Sequence, residues 1–270
     1  MVTVKNAVGR EAKGMTRKRR CGDELRREFQ STVTEELLPG ILHNFANPLN
    51  GIMGRSKLLQ KRAVEALGVT EFGQGEPSKE IREKILRDVD LLVEQGDRLY
   101  DLFSQVAAKV QRLNDKNEGP INLSELLADE VAFCDYYLDF KHSIEKSVNL
   151  DMGVPSVMGS PADYSLALSS ILRYSMSVMK DVPVRILSVF SDYDSERIIL
   201  AISDSGVHDE EAEYLFRAVE CGDLAVEEEA LGGCRGLYWA LALLKEYDVR
   251  SLLDTGGGIN KITLKVPYNI

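Results

Sequence analysis

Across residues 23 to 66, apolar or small side chains recur at Leu38, Ile41, Phe45, Leu49, Ile52, Ser56, Leu59 and Ala63. The alternating steps of three and four predict one buried face of a long helix. A break follows at Gly68, Gly73, Gly75 and Pro77-Ser78, where Ser78 is placed to cap a second helix. The second stripe runs Ile81, Ile85, Val89, Leu92, Gly96, Leu99, Phe103, Val106, Val110 and Leu113 in the same steps. Two long amphipathic helices so joined predict an antiparallel hairpin. One hairpin covers only part of its own stripe, so pairing of two copies into a four-helix bundle is the expected remedy.

Residues 114 to 120 are polar and turn-rich, which places a domain boundary there. The pattern then changes to mixed elements. Helices are expected over 123–140, 161–180 and 237–247, with an acidic helix and a glycine-containing loop before the last of these. Strands are expected near 148–152 and over 184–191, 198–203, 250–254 and 261–266. Strands in succession with helices on one side predict a two-layer α/β sandwich, so the fold class is α+β. The expected domains are a basic N-terminal tail over 1–22, a helical hairpin over 23–116 and the sandwich over 120–270.

Composition narrows the function classes. The 270 residues are 44% hydrophobic and 28% charged, as in a soluble globular protein, and their net charge of −10 disfavours nucleic acid as main partner. The longest apolar run, residues 237 to 244, is far short of the roughly 20 that a membrane-spanning helix needs, so a cytoplasmic protein is expected. Cys21, Cys134, Cys221 and Cys234 lack paired spacing and read as reduced thiols, with no metal site expected. The first 20 residues carry seven Lys or Arg against the single acid Glu11. That run reads as a solvated tail, with a membrane-surface or nucleic-acid contact as the alternative.

The expected core stripe leaves His43 on the opposite, exposed face of its helix, with Asn47 one turn further on. A neutral imidazole keeps a ring lone pair that can attack phosphorus, and Asn47 could orient the ring or a water beside it. Pro48 removes an amide donor from the helix, a local cost that a purely structural helix rarely carries.

The string His43-Asn44-Phe45-Ala46-Asn47-Pro48-Leu49-Asn50-Gly51-Ile52 resembles the H-box of histidine kinases. There the phosphoacceptor histidine is followed four residues later by Thr or Asn and then by Pro-Leu. The resemblance extends over residues 23 to 267 and implies a dimerisation and phosphotransfer bundle followed by an ATP-binding sandwich. It implies ATP and Mg2+ as cofactors, a homodimer and a response-regulator receiver domain as partner. With fewer than about 25 residues before the first helix, the signal is expected through a separate sensor protein, the N-terminal tail or the C-terminal domain itself.

The second half departs from the family pattern. The helix that normally carries two magnesium-site asparagines four apart has Ser170 and Tyr174 instead, and a phenol is a poor ligand for a hard cation. Asp204-Ser205-Gly206-Val207-His208 keeps the aspartate that contacts adenine in the family, together with Gly206, and loses the second glycine. Phe216 stands where the family often has an aromatic. The lid survives only as Gly232-Gly233-Cys234-Arg235-Gly236, which leaves fewer amides free to approach phosphates. Gly256-Gly257-Gly258 matches the final glycine loop, with a tight hairpin turn as the alternative. The residue after the acceptor, commonly an acid that takes the imidazole proton, is Asn44, and an amide cannot act as that base.

These departures imply weakened autophosphorylation. They leave open exchange between His43 and an aspartyl phosphate, for which the partner receiver supplies the magnesium. The expected function is therefore a dimeric histidine phosphotransferase. An atypical ATP-dependent kinase, a response-regulator phosphatase or scaffold, and a coiled-coil regulator with an unrelated α/β domain are the alternatives.

Overall fold

A computed structural model describes residues 2–72, 78–115, 117–221 and 228–268. It divides into two units, residues 37–109 and residues 1–36 with 110–270. No helix among the described residues is long and apolar enough to cross a membrane.

The smaller unit is the helical hairpin of α2 (Leu38–Phe72) and α3 (Lys79–Asn114). The Ser78 hydroxyl accepts from the Ile81 amide at 3.3 Å, the expected N-cap. Part of the predicted glycine break lies outside the described residues, and Gly68 belongs to α2. The helices run antiparallel, since Gly51 faces Gln95 while Arg55 and Arg62 both pair with the buried Asp88.

The hairpin half-buries much of the expected stripe, namely Ile41, Phe45, Ile52, Leu59 and Ala63 on α2 and Ile81, Ile85, Leu92, Leu99 and Val106 on α3, and leaves other positions of it outside. The face that α2 turns to α3 runs through Asn44, Pro48, Gly51, Arg55 and Arg62, with Asn44 and Pro48 buried. Leu38, Leu42, Leu49 and Met53 are exposed instead. On α3 the same holds for Leu86, Val89, Val93, Tyr100 and Phe103. Each helix thus carries two faces, and the sequence stripe straddled them.

The larger unit begins with α1 (Val2–Thr32), which leads into a π-helical segment, Val33–Leu37. Over residues 17–22 a solvated tail is not what forms. Cys21 and Leu25 are fully buried where α1 packs on α6 (Pro161–Val178) and α8 (Arg235–Lys245). The Lys18 ammonium lies 4.1 Å from the Tyr247 ring centroid and the Arg20 guanidinium 5.3 Å from that of Trp239, so part of the basic run is spent on aromatic faces. Burial pushes the Cys21 thiol up to about 11, and all four cysteines are free. Leu25→Ala is expected to lower unfolding stability by about 2–5 kcal/mol, as for a fully buried leucine. Urea denaturation measures this, and an unchanged midpoint would contradict the docking of α1.

The rest of the unit is the two-layer sandwich. Strands β2 (Glu145–Leu150), β4 (Ile186–Tyr193), β5 (Arg197–Asp204), β7 (Ile259–Pro267) and β6 (Arg250–Gly256) form one sheet in that order, parallel only between β2 and β4. Alternation along the strands turns Leu187 and Val189, Ile198, Leu200 and Ile202, and Ile262, Leu264 and Val266 into the core. Helices α4 (Leu123–Phe133), α6 and α8 supply the facing residues.

Two short strands, β1 (Gly119–Ile121) and β3 (Val157–Gly159), pair antiparallel and were not anticipated. The helix expected over 123–140 breaks at a 3-10 turn, Cys134–Tyr136, and resumes as α5 (Leu138–Ser143) after an extended Tyr137. Side-chain caps start α4 and α6. The Asn122 side chain accepts from the amides of Ser124 and Glu125 for α4, and Ser160 accepts from Asp163 for α6. Below them the buried Glu130 carboxylate accepts from Ser165 and Ser169 and pairs with Arg112 at 3.4 Å.

Candidate functional site

The sequence-predicted residues fall into two constellations, one per unit. In the hairpin, α2 presents His43 and Asn47 exposed, while Asn44 between them is 5% exposed. Burial on the face turned to α3 makes Asn44 a packing residue, a second reason why it is no base beside His43. Pro48 lies buried inside α2 and cannot donate to the carbonyl of Asn44, which weakens the ladder beneath the histidine. His43 therefore sits on a helix turn whose inner side is fixed and whose outer side is open.

In the sandwich, Asp204 ends β5 and is buried, 1% exposed. Its neighbours are all from this chain. His208 Nε2 lies 2.9 and 3.0 Å from the two carboxylate oxygens, and the Gly206 amide donates to Oδ1 at 3.0 Å. Asn260 Nδ2 approaches the same oxygen at 3.4 Å and donates to the Gly206 carbonyl at 2.7 Å. On the far side of the imidazole, Nδ1 lies 3.3 Å from the Tyr174 hydroxyl, and the two rings meet edge to face at 5.2 Å.

Burial, reinforced by nearby Cys234, Asp209 and Asp204, pushes the Tyr174 phenol far above its ordinary range. It therefore stays protonated and can donate to Nδ1. Nε2 then carries the imidazole proton toward Asp204. The position that aligned with a magnesium-site asparagine is thus the end of a buried Asp-His-Tyr chain. The side chain that replaced a glycine is its centre.

The candidate glycines have structural work as well. A Cβ on Gly206 would come within 2.8 Å of the Val178 backbone, so only glycine lets β5 turn past the end of α6. A Cβ on Gly236 would meet the Glu28 carboxylate of α1 at 2.2 Å. Gly257 and Gly258, with φ of 63° and 82°, form the two-residue turn between the paired Gly256 and Ile259, the hairpin reading of that motif. Phe216 is buried in the core on α7 (Glu210–Cys221).

Sequence reasoning missed three participants: His208 as partner of Asp204, Asn260 as a second donor, and Glu28 over Gly236. The four-residue spacing of Asp204 and His208 was a visible signal. Glu28 lies in a different element and had none. His208→Ala is expected to destabilise the sandwich by about 1–3 kcal/mol, because it strips a buried carboxylate of its main donor. A Tm equal to the parent's would mean that the Asp-His contact contributes nothing.

Asp209 caps α7 by accepting from the Ala212 amide at 2.9 Å. Its ligand atom, with those of Glu211 and Cys234, lies within a 4.8 Å group. Burial first, and then the two acids, push the Cys234 thiol up to about 12.

No protein-family model matches the chain, and no curated protein matches it. Among solved structures the chain is similar to the Acinetobacter baumannii histidine kinase AdeS at 15% identity, covering 80% of this chain and 96% of that one with a TM-score of 0.43. It is similar to the catalytic domain of histidine kinase ThkA at 13% identity, covering 56% of this chain and 95% of that one with a TM-score of 0.46. It is also similar to the mycobacterial sensor histidine kinase MprB at 16% identity, covering 56% and 97% with a TM-score of 0.41.

Proposed function

We propose that the chain is a two-component signalling protein of histidine kinase type that passes a phosphoryl group between His43 and a response-regulator aspartate. It acts as a homodimer in the cytoplasm and does not use ATP. One contrast carries this reading: His43 is exposed on α2, whereas Asp204 is buried with both oxygens held by His208.

The residues at the expected nucleotide position do not fit ATP with Mg2+. An adenine-contacting carboxylate must accept from the base, and this one already accepts from an imidazole and an amide. Tyr174 offers a neutral phenol where a hard cation needs a strong oxygen ligand. The transfer itself needs little from the sandwich. A ring nitrogen of His43 attacks phosphorus, the bond from phosphorus to the aspartyl oxygen breaks, and the aspartate leaves as carboxylate.

A dephosphorylating role is the second reading, favoured by Asn47, whose exposed amide one turn from His43 could hold a water. Two incubations test the proposal: labelled ATP with magnesium, and a receiver domain charged with labelled phosphate. Label reaching the chain only from the receiver supports transfer. Acid-labile, base-stable labelling from ATP overturns the nucleotide-independent reading. Loss of receiver phosphate as free phosphate, with none on the chain, favours the second.

A further inference from the structure

The C-terminal half of α6 and the segment around α5 enclose a cavity of about 440 Å3, within the range of small-molecule sites. The helix break borders it. Tyr137 is extended between the 3-10 turn and α5, and Phe140, three residues on, is buried in the core while Tyr137 and Leu138 line the cavity with Arg173, Met176 and Ser177 of α6. The floor is apolar, made by Phe140 and Ile144, both buried, and by Met176.

The wall is cationic. Arg173, Lys180 and Arg185 line it against the acids Glu36 and Asp139. Arg185 donates through Nη2 to the Lys180 carbonyl, which holds its guanidinium at the cavity wall. Arg173 is anchored from one side by Glu28 at 2.9 Å, and its other nitrogen meets Glu36 only at 3.8 Å. Glu36 is 48% exposed, so that second contact is weak and screened. It also lies in the π-helical segment, a rare distortion that is frequent at functional sites.

We propose that this cavity binds a small organic anion with a compact apolar body, the body on Phe140, Ile144 and Met176 and the anionic head among Arg173, Lys180 and Arg185, in place of Glu36. The inference is independent of phosphotransfer at His43. An anion of this kind gains both from burial of its body and from cations already held in place.

Isothermal titration of the full chain with 1-naphthoate tests it, with the neutral 1-naphthalenemethanol and inorganic phosphate as comparisons and with Lys180→Glu and Arg185→Ala as variants. Melting curves confirm that each variant is folded, and either one alone suffices for the comparison. The expected result is one saturable site, weakened at least tenfold by either variant and at least tenfold weaker for the neutral analogue. Absence of saturable binding at millimolar naphthoate, or equal affinity in the variants, would overturn the proposal. Phosphate binding as tightly as naphthoate would also overturn it, since a bare anion site has no use for the apolar floor.

Discussion

His43→Gln is expected to abolish labelling of the chain by a phosphorylated receiver while leaving its Tm within about a degree of the parent's. Glutamine keeps polarity and similar length but has no basic ring nitrogen, so no bond to phosphorus can form. The stability half of the expectation follows from exposure. His43 lies on the open face of α2, and surface substitutions away from buried networks change stability by about 0.5 kcal/mol or less. The comparison with Asn44→Ala sharpens it. That residue is buried beside the histidine in sequence, so its loss should lower the Tm while labelling persists in the folded fraction. Labelling that survives His43→Gln would move the acceptor to another residue and end the proposed mechanism.

How much of this was legible in the sequence depends on the range of the interaction concerned. The helical hairpin, the sandwich and most of their strands follow from local periodicity, because one buried face repeats within each element. The position of His43 on an exposed face followed from the same rule. The exact seam did not. Asn44 and Pro48 are buried and Gly51 faces Gln95 although none is a large apolar residue, while Leu38, Leu42, Leu49 and Leu86 are left outside. A hydrophobicity count cannot see that preference.

The docking of α1 was hidden for a related reason. Its inward residues, Cys21, Leu25 and Thr32, are few and set among charges, and the run Arg17-Lys18-Arg19-Arg20 reads as solvated until Tyr247 and Trp239 lie beside it. The nucleotide-position chemistry was half legible. Tyr174 and His208 were visible as departures from a motif, and only folding brings them into line with Asp204, since Tyr174 meets His208 from 34 residues away and His208 meets Asp204 from four. Each departure alone subtracts a function. Together they form a satisfied buried network, which is a structural gain.

The exposed apolar residues of the hairpin carry the other large expectation, that the chain is a dimer which Val93→Asp combined with Phe103→Asp converts to a monomer. On α3, Leu86, Val93 and Tyr100 are seven residues apart, and Val89 and Phe103 extend the interleaved positions, so the row has the heptad spacing of a helix seam. Tyr100 is 70% exposed and Phe103 61%, while Leu42 at 59% and Met53 at 57% add to the uncovered surface from α2. An apolar row of that regularity on both helices is what a second hairpin would cover. A carboxylate forced into such a seam must be neutralised or left unpaired, at a cost of several kcal/mol each. Two per protomer place four across the dimer, enough to raise the dissociation constant by more than about a thousandfold on the scale of 1.4 kcal/mol per decade. Sedimentation of parent and variant at micromolar concentration reads the change directly. Asp88 and its arginines are untouched by these substitutions, so the α2–α3 pairing within one chain keeps its buried ion pairs. A variant that sediments as a dimer would remove the seam as the interface, and a parent that sediments as a monomer would remove the dimer itself.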